Sequence, residues 1–287
     1  AEAEEWYKRS FAFIQTHQLP QQPSLNDTFT ILQNYKMIYS TEGKYHLTPL
    51  GKVCSMFYLH PVDVKSWHDN FSAVFRVGLG PTLVSNTADV YTSLALGNIP
   101  SYQNTFPDLA AIRGNPGDQE HISLVKYREL ATALSAQLNI PNKSYEVGYL
   151  IYCFMNGIFT GESNYSVIKG LQNDYQRILQ ALQTIDGMVT HWGQESFWKM
   201  LGLRLQYNVP LRYVELVKIE GIGKARAYKL YQAGIKNAKD IIEFSPQAIK
   251  ILGPKLGIKT VDFAKKFVYN GDGMKQTSLF SEGIHGE

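Results

Sequence analysis

Glycine, proline and asparagine residues divide positions 61–200 into stretches of helix length. This pattern of helix-breaking residues is the sequence feature that most constrains the fold. The breaks fall at 78–81, 97–100, 114–118, 139–142 and 161–164. Between them, stretches such as 120–138 and 145–159 show helical spacing of apolar residues and no convincing strand alternation. The pattern predicts an all-α bundle of roughly six or seven helices over residues 61–202, with its aromatic side chains in the core.

The first 60 residues predict helices followed by a small β-hairpin and another helix. Ser24 or Asn26 can cap a helix that carries the apolar positions 29–35. Two short strands, 37–39 and 45–47, flank a turn that contains Gly43, and Thr48-Pro49 marks the start of a helix over 50–59. We interpret residues 1–60 as a winged-helix domain. It lacks a basic recognition helix, so both a spacer role and direct contact with nucleic acid stay open.

Residues 203–270 predict a third domain, built from short helices joined by glycine-rich turns. In it, a helix is expected to end near Lys218 and another to begin at about Gly223, with Ile222 tucked between them. Gly221 and Gly223 would permit a positive φ and a close approach of the backbone to a ligand. The N–H groups that open the second helix form a phosphate site, since they lie at the positive end of the helix dipole.

The cations beside this turn strengthen the interpretation as a helix-hairpin-helix that grips phosphates without reading sequence. They are Lys224, Arg226 and Lys229. A lone Gly-Ile-Gly would fit an ordinary helical corner, but the flanking apolar positions and small residues make the pattern more specific. A degenerate second copy spans 251–258. Its Pro254 removes one donor, which favours a packing role for that copy over a second phosphate site.

Charge is distributed unevenly along the chain. Residues 203–270 hold thirteen Lys/Arg against five Asp/Glu, a net +8, whereas the remainder carries −5. A basic domain on a mildly acidic body points to a polyanionic partner. No apolar run is long enough to span a membrane, and no signal peptide is evident, so we expect a cytoplasmic protein, or a nuclear one in a eukaryote.

The sequence lacks the motifs of a catalytic or metal centre. Cys54 and Cys153 sit in apolar surroundings, which favours two reduced, buried thiols over a disulfide, and no Cys/His spacing suits zinc. There is no Gly-x-x-x-x-Gly-Lys-Ser/Thr phosphate loop, no acidic metal-nucleotide box and no Gly-x-Ser-x-Gly elbow. We therefore expect no catalytic residues, no bound metal and no cofactor in this chain.

The order of the three domains resembles the accessory half of the archaeal and HelQ-like superfamily 2 DNA repair helicases. Three stretches carry the resemblance: 45–61 as wing and exit helix, 173–178 as the start of the long "ratchet" helix, and 203–241 as the hairpin domain. In that family, motor domains bind ATP and Mg²⁺ and pull single-stranded DNA 3′ to 5′. The resemblance implies single-stranded or forked DNA as partner and places ATP and Mg²⁺ only in motor domains that this chain does not contain.

The resemblance also assigns two positions on the ratchet helix. In the family, a basic residue and an aromatic one, seven positions apart on one helix face, contact phosphate and base. Here these positions fall on Arg177 and Thr184, and threonine offers no π-face for a base. Tyr175 and Trp192 are the available aromatic substitutes. A surface arginine without a DNA contact is the simpler alternative for Arg177.

Residues 271–287 predict a flexible tail. Within it, Gln276, Leu279 and Phe280 resemble the short peptides that bind sliding clamps, in which glutamine anchors the peptide and Leu-Phe fill an apolar pocket. The sequence thus favours a DNA-binding accessory region of a repair or replication helicase. The alternatives are a protein-interaction scaffold of an RNA-processing helicase, a motorless adaptor, or an RNA substrate in place of DNA.

Overall fold

The fold is mostly α-helical, with one small two-stranded sheet, as the sequence predicts. The structure, a computed structural model, describes residues 4–5, 8–9, 24–76, 86–100, 124–138, 145–158 and 172–269. Four of the five predicted breaks and the whole 271–287 tail, including Gln276, Leu279 and Phe280, lie outside these residues. None of the helices within the described ranges is long and apolar enough to cross a membrane.

The N-terminal part consists of helix α1, a β-hairpin and helix α2. Their bounds are α1 Leu25–Asn34, β1 Ile38–Thr41, β2 Lys44–Leu47 and α2 Pro49–Met56. Ser24 forms a capping box with Asp27 at the start of α1, which resolves the Ser24/Asn26 alternative. The strands pair antiparallel with Ile38 opposite Leu47, each lying about one residue from its predicted position.

Thr48 caps α2 and also ties it to the chain just before β1. Its hydroxyl donates to the Lys36 carbonyl at 2.6 Å and accepts the Gly51 N–H at 2.9 Å. Gly51 is needed here because a Cβ would lie 2.0 Å from the Met37 carbonyl oxygen. The predicted Thr48-Pro49 helix start is confirmed, and the helix is shorter than the expected 50–59.

The described residues of the central part form six helices and one π-helical turn. They are α3 Pro61–Arg76, α4 Asn86–Gly97, α5 Leu124–Leu138, α6 Tyr145–Met155, α7 Gln172–Ile185, the π-turn Asp186–Thr190 and α8 Glu195–Tyr207. Helices α4 and α6 approach closely, since a Cβ at Gly97 would lie 2.6 Å from the Gly148 backbone nitrogen. Cys54 and Cys153 are free and buried, as predicted, and burial raises the pKa of the Cys54 thiol to about 11.

The C-terminal part contains only short helices until the last one. It comprises a 3₁₀ turn Leu211–Tyr213, then α9 Val214–Val217, α10 Lys224–Gln232, α11 Ala238–Glu243, α12 Ser245–Leu252 and α13 Pro254–Tyr269. Asn237 caps α11 by accepting the Asp240 N–H at 3.0 Å. These helices surround an apolar core of their own, centred on side chains such as Leu216, Ile222 and Leu230.

The described residues thus form two apolar cores that meet along α8. One core runs from Met37 to Leu205 and joins the N-terminal part to the helical bundle, and the other begins at Val209. Leu201 and Leu205 of α8 belong to the first core, whereas Leu203 and Tyr207 of the same helix pack against the second. The predicted domain limits at 60 and 202 remain a prediction, but α8 physically belongs to both sides of the second limit.

Candidate nucleic-acid interface

The segment Lys218–Gly223 reverses the chain between α9 and α10, and we call it the glycine turn. Helix α9 ends at Val217 with Lys218 as its C-cap, and α10 begins at Lys224 with Gly223 as its N-cap, close to the predicted limits. The Ile222 N–H donates to the Ile219 carbonyl at 3.1 Å. Both isoleucines are at most 2% exposed, so they pin the turn to the core beneath it.

The two glycines of the turn differ in conformation. Gly221 has φ +80°, where an L side chain is strained, as expected. Gly223 has φ −99° and ψ −176°, an extended conformation open to any residue, so it does not use the positive φ that glycine permits. No described atom lies within 4 Å of a Cβ built on Gly223. Neither backbone strain nor packing within the described residues therefore explains the glycine at position 223.

The start of α10 presents backbone donors at the glycine turn. Gly223 has no side chain, and no side-chain hydrogen bond caps this helix within the described residues. The Arg226 N–H donates to the Gly223 carbonyl at 3.1 Å, which leaves the N–H groups of Lys224 and Ala225 without a partner inside the helix. N–H groups at the positive end of a helix dipole are the donors on which the predicted phosphate site depends.

The three predicted cations around the turn have different surroundings. Lys229 is exposed on α10. Arg226 is also exposed, and its Nη1 donates to the Gly221 carbonyl at 2.7 Å, which braces the turn and leaves other guanidinium N–H groups for a ligand. Lys224 instead directs its ammonium away to the helical bundle, where it donates to Gly157 and Asn208. Burial of this ammonium lowers the pKa of Lys224. Much of the surface of the residue as a whole is nevertheless exposed.

The degenerate second copy packs on the first. Gly253 takes a positive φ of +85° between α12 and α13, and Pro254 opens α13. Leu256 lies against the glycine turn, since a Cβ at Gly221 would sit 2.8 Å from its Cδ1 atom. Gly257 fits closely on α12, because a Cβ there would be 2.5 Å from the Ile249 Cα. The structure agrees with the packing role that the sequence favoured.

On α7, Arg177 is exposed and Thr184 is half-buried. Arg177 Nη2 pairs with Asp174 Oδ1 at 3.0 Å, and both side chains are 43% exposed. Thr184 donates its hydroxyl to the Gln180 carbonyl at 2.9 Å, which turns its polar atom toward its own helix. Seven residues make two helical turns, so both positions share a face of α7.

Neither aromatic substitute near Thr184 offers a free face to a base. Tyr175 is 2% exposed, and burial raises the pKa of its phenol. Trp192 packs its half-buried ring against Phe75, with the ring centroids 5.2 Å apart. The Asp186 carboxylate fixes the segment after α7 by accepting bonds from the backbone of Gly193 and Gln194 and, at 3.0 Å, from Trp198 Nε1. Base stacking at this end of α7 therefore finds no support.

Sequence reasoning missed an exposed aromatic beside the glycine turn. Tyr228, one turn into α10, is 52% exposed and contacts the buried Tyr213 ring edge-on at 6.3 Å. Tyr228 lies four residues after Lys224 and next to Lys229, and this helical spacing could have predicted an aromatic side chain near the cations. No local pattern distinguishes Tyr228 from the chain's many other tyrosines.

Comparisons with known proteins relate the chain to helicases. ATP-dependent DNA helicase Hel308 of Methanocaldococcus jannaschii is 23% identical over 246 residues, covering 83% of this chain and 18% of that protein. Hel308 of Thermococcus kodakarensis is 23% identical over 253 residues, covering 82% of this chain and 20% of its own length. Putative helicase 7 of a Sulfolobus islandicus filamentous virus is 27% identical over 143 residues, which is 46% of this chain and 24% of that protein.

These similarities make the chain a helicase-related region. No family model matches it. The chain spans about a fifth of the length of the Hel308 proteins that match most of it.

Proposed function

We propose that this chain is the DNA-binding accessory region of an ATP-dependent superfamily 2 helicase that moves 3′ to 5′ in repair or replication. Within it, the winged-helix and bundle parts guide the strand, and the glycine turn of a helix-hairpin-helix unit holds its phosphates. The names of the relatives support a DNA helicase over an RNA-processing scaffold. ATP and Mg²⁺ would act in motor domains, for which this sequence holds no phosphate loop.

Gly223 carries this proposal. The fold as described does not need glycine there, yet the position opens a helix whose backbone donors are not capped by a side chain. A bare backbone at such a point suits a ligand that approaches the N–H groups directly, and a phosphate fits both their polarity and the net +8 of residues 203–270. Contacts of this kind are made to the backbone of DNA and carry no sequence information.

Tyr228 favours single-stranded over duplex DNA as the ligand. It lies five residues from Gly223, a rise of roughly 7.5 Å along α10. An exposed tyrosine can stack on a base only if that base is unpaired and turned outward, as in a single strand. Together the bare helix start and the exposed ring suit a phosphate and a base of one strand.

Arg177 is a second proposed contact, on the bundle. Within the described residues its exposed guanidinium pairs with the exposed Asp174 carboxylate, a type of pair worth about 0–1 kcal/mol in water. A DNA phosphate can replace such a partner at little cost. Thr184 would lie beside the same strand without stacking on it. For the tail, the clamp-binding peptide Gln276, Leu279 and Phe280 stays a proposal that rests on the sequence alone.

The test is a salt titration of binding to fluorescently labelled single-stranded DNA, with the double variant Arg226→Gln/Lys229→Gln. For single strands, log K falls by about 0.7 per phosphate contact for each tenfold rise in salt. We expect the variant to bind more weakly, with a slope shallower by up to about 1.4. The matched control is Lys199→Gln, which removes an exposed charge from α8 outside the turn.

Two results would contradict the proposal. The first is a wild-type affinity that does not change with salt, which would favour a protein-interaction scaffold. The second is an equal loss of slope in Lys199→Gln and the turn variant, since that would assign the effect to net charge alone.

A further inference from the structure

A polar junction joins the C-terminal part to the helical bundle beside α8, where the two apolar cores meet. Lys224, the first residue of α10, donates its ammonium to the Gly157 carbonyl at 3.0 Å and to the Asn208 side-chain oxygen. Gly157 follows the end of α6, and Asn208 is the C-cap of α8. One lysine from the glycine-turn helix therefore meets the C-terminal ends of two bundle helices.

The chemistry of the junction suits a permanent contact. Carbonyl oxygens at helix C-termini carry the negative end of the helix dipole, which favours a cation. Two of the three ammonium protons of Lys224 are engaged, one by the Gly157 backbone carbonyl and one by the Asn208 side-chain oxygen. The site is also tight, since a Cβ at Gly157 would lie 3.0 Å from the Asn208 carbonyl oxygen and 3.4 Å from Lys224 Nζ.

A second buried network continues the junction into the bundle. Arg204 of α8, only 3% exposed, forms a two-pronged ion pair with Asp89 of α4 at 2.6 and 2.7 Å. The same guanidinium donates to the side chain of Asn156 at 3.0 Å, and Asn156 immediately precedes Gly157. The acceptors of Lys224 are thus held by a rigid, charge-assisted framework that α4, α6 and α8 share.

We infer that Lys224 is a positioning residue that fixes the glycine-turn unit against the bundle, and that it does not bind phosphate. Its location in a basic turn suggests a phosphate contact, but its ammonium is committed to Gly157 and Asn208. The bundle and the turn then present their contacts to one strand at a fixed spacing, which a motor needs if both are to follow the same DNA. This role for the strand rests on the proposed function, whereas the positioning itself does not.

The test measures distance and salt dependence in the same variants. Spin labels are attached at Val125→Cys on α5 and Ile258→Cys on α13, both of which are more than half exposed. Cys54 and Cys153 are buried and stay unlabelled. We expect Lys224→Met to broaden the distance distribution between the labels and to weaken DNA binding at every salt concentration, with the salt slope unchanged.

Asn208→Gly is the second variant, because it removes the acceptor and not the lysine. Asn208 has a φ of +53°, which glycine adopts freely, so the chain reversal after α8 is preserved. It should broaden the same distribution, although it alters no charge. Lys229→Gln, the matched control, should lower the salt slope by about 0.7 and leave the distances unchanged.

Unchanged distances in Lys224→Met and Asn208→Gly would overturn the inference, whatever the binding result. A slope that falls by about 0.7 in Lys224→Met would also overturn it, since that loss marks a phosphate contact. A wild-type chain that shows no salt slope refutes the proposed function instead, and the distance measurement still decides on the positioning role.

Discussion

Substitution by alanine should have different consequences at the two glycines of the turn: a loss of stability at Gly221 and a loss of DNA affinity at Gly223. At Gly221, alanine must adopt φ +80°, a left-handed conformation that disfavours an L residue by about 1–2 kcal/mol. Its Cβ would also lie 2.8 Å from Leu256 Cδ1, so the leucine must leave its rotamer, at about 0.5–1.5 kcal/mol. We expect Gly221→Ala to lower the free energy of unfolding by about 1.5–3.5 kcal/mol.

At Gly223 the same methyl group meets neither strain nor a described neighbour. Its extended backbone accepts alanine, and the reduced freedom of the unfolded chain adds stability of about 0.4–1 kcal/mol. Alanine is a poorer N-cap than glycine, which offsets much of this gain. The stability of Gly223→Ala should stay within about 0.5 kcal/mol of the wild type. Its DNA affinity should nevertheless fall about tenfold, the effect of losing one hydrogen bond to a charged phosphate.

Urea unfolding followed by two signals tests both variants. No tryptophan follows residue 198, and Trp67, Trp192 and Trp198 lie in or against the larger core. Tryptophan fluorescence therefore monitors that core, whereas far-UV circular dichroism also reports the helices after Val209. Gly221→Ala should shift the dichroism transition more than the fluorescence transition. The double variant Gly221→Ala/Leu256→Ala should recover part of the steric loss, and the backbone loss should remain. Equal destabilisation by the two alanines would refute the assigned difference between the glycines, and full affinity in Gly223→Ala would refute the phosphate site.

Two further pairs of substitutions test the ligand contacts. Tyr228→Leu should weaken single-stranded DNA binding by about 1–3 kcal/mol and abolish the quenching of a 2-aminopurine base in the strand. Tyr228→Phe should preserve both the affinity and the quenching, because stacking needs the ring and not the hydroxyl. An equal loss in both variants would contradict stacking. Asp174→Asn should strengthen DNA binding by releasing Arg177, and Arg177→Gln should weaken it with a shallower salt slope. Identical affinities in these last two variants would remove Arg177 from the interface.

The elements predicted best from the sequence are those with a local chemical cause. Thr48-Pro49 predicts a helix start because both residues act within one turn, and the structure places the cap there. The hairpin strands follow from β-prone residues around Gly43, and they lie within about one residue of the prediction. The predicted positions of helix ends were less accurate, because the residue at which a helix ends depends on packing. Helix α2 stops at Met56, three residues before the predicted end.

The sequence could not predict which distant residue a long side chain contacts. Lys224 and Lys229 look alike in a basic helix, but only the fold shows that Lys224 meets Gly157, which lies 67 positions earlier in the chain. Likewise, Arg204 pairs with Asp89 across 115 positions. Such contacts are set by the way distant helices pack, and no local pattern encodes them. The sequence also could not predict that Gly221 and Gly223 adopt different backbone conformations, since glycine permits both.

The division into two cores explains why the junction matters more than its small size suggests. The N-terminal part and the bundle share one continuous core, so apolar packing fixes their relative position. The glycine-turn unit has a separate core, and α8 contributes side chains to both. Apolar packing is non-directional and permits small rotations about a shared helix, whereas hydrogen bonds from a charged donor require defined distances and angles. The Lys224 contacts therefore restrict rotation of the turn about α8, and it follows that their loss should change geometry before it changes folding.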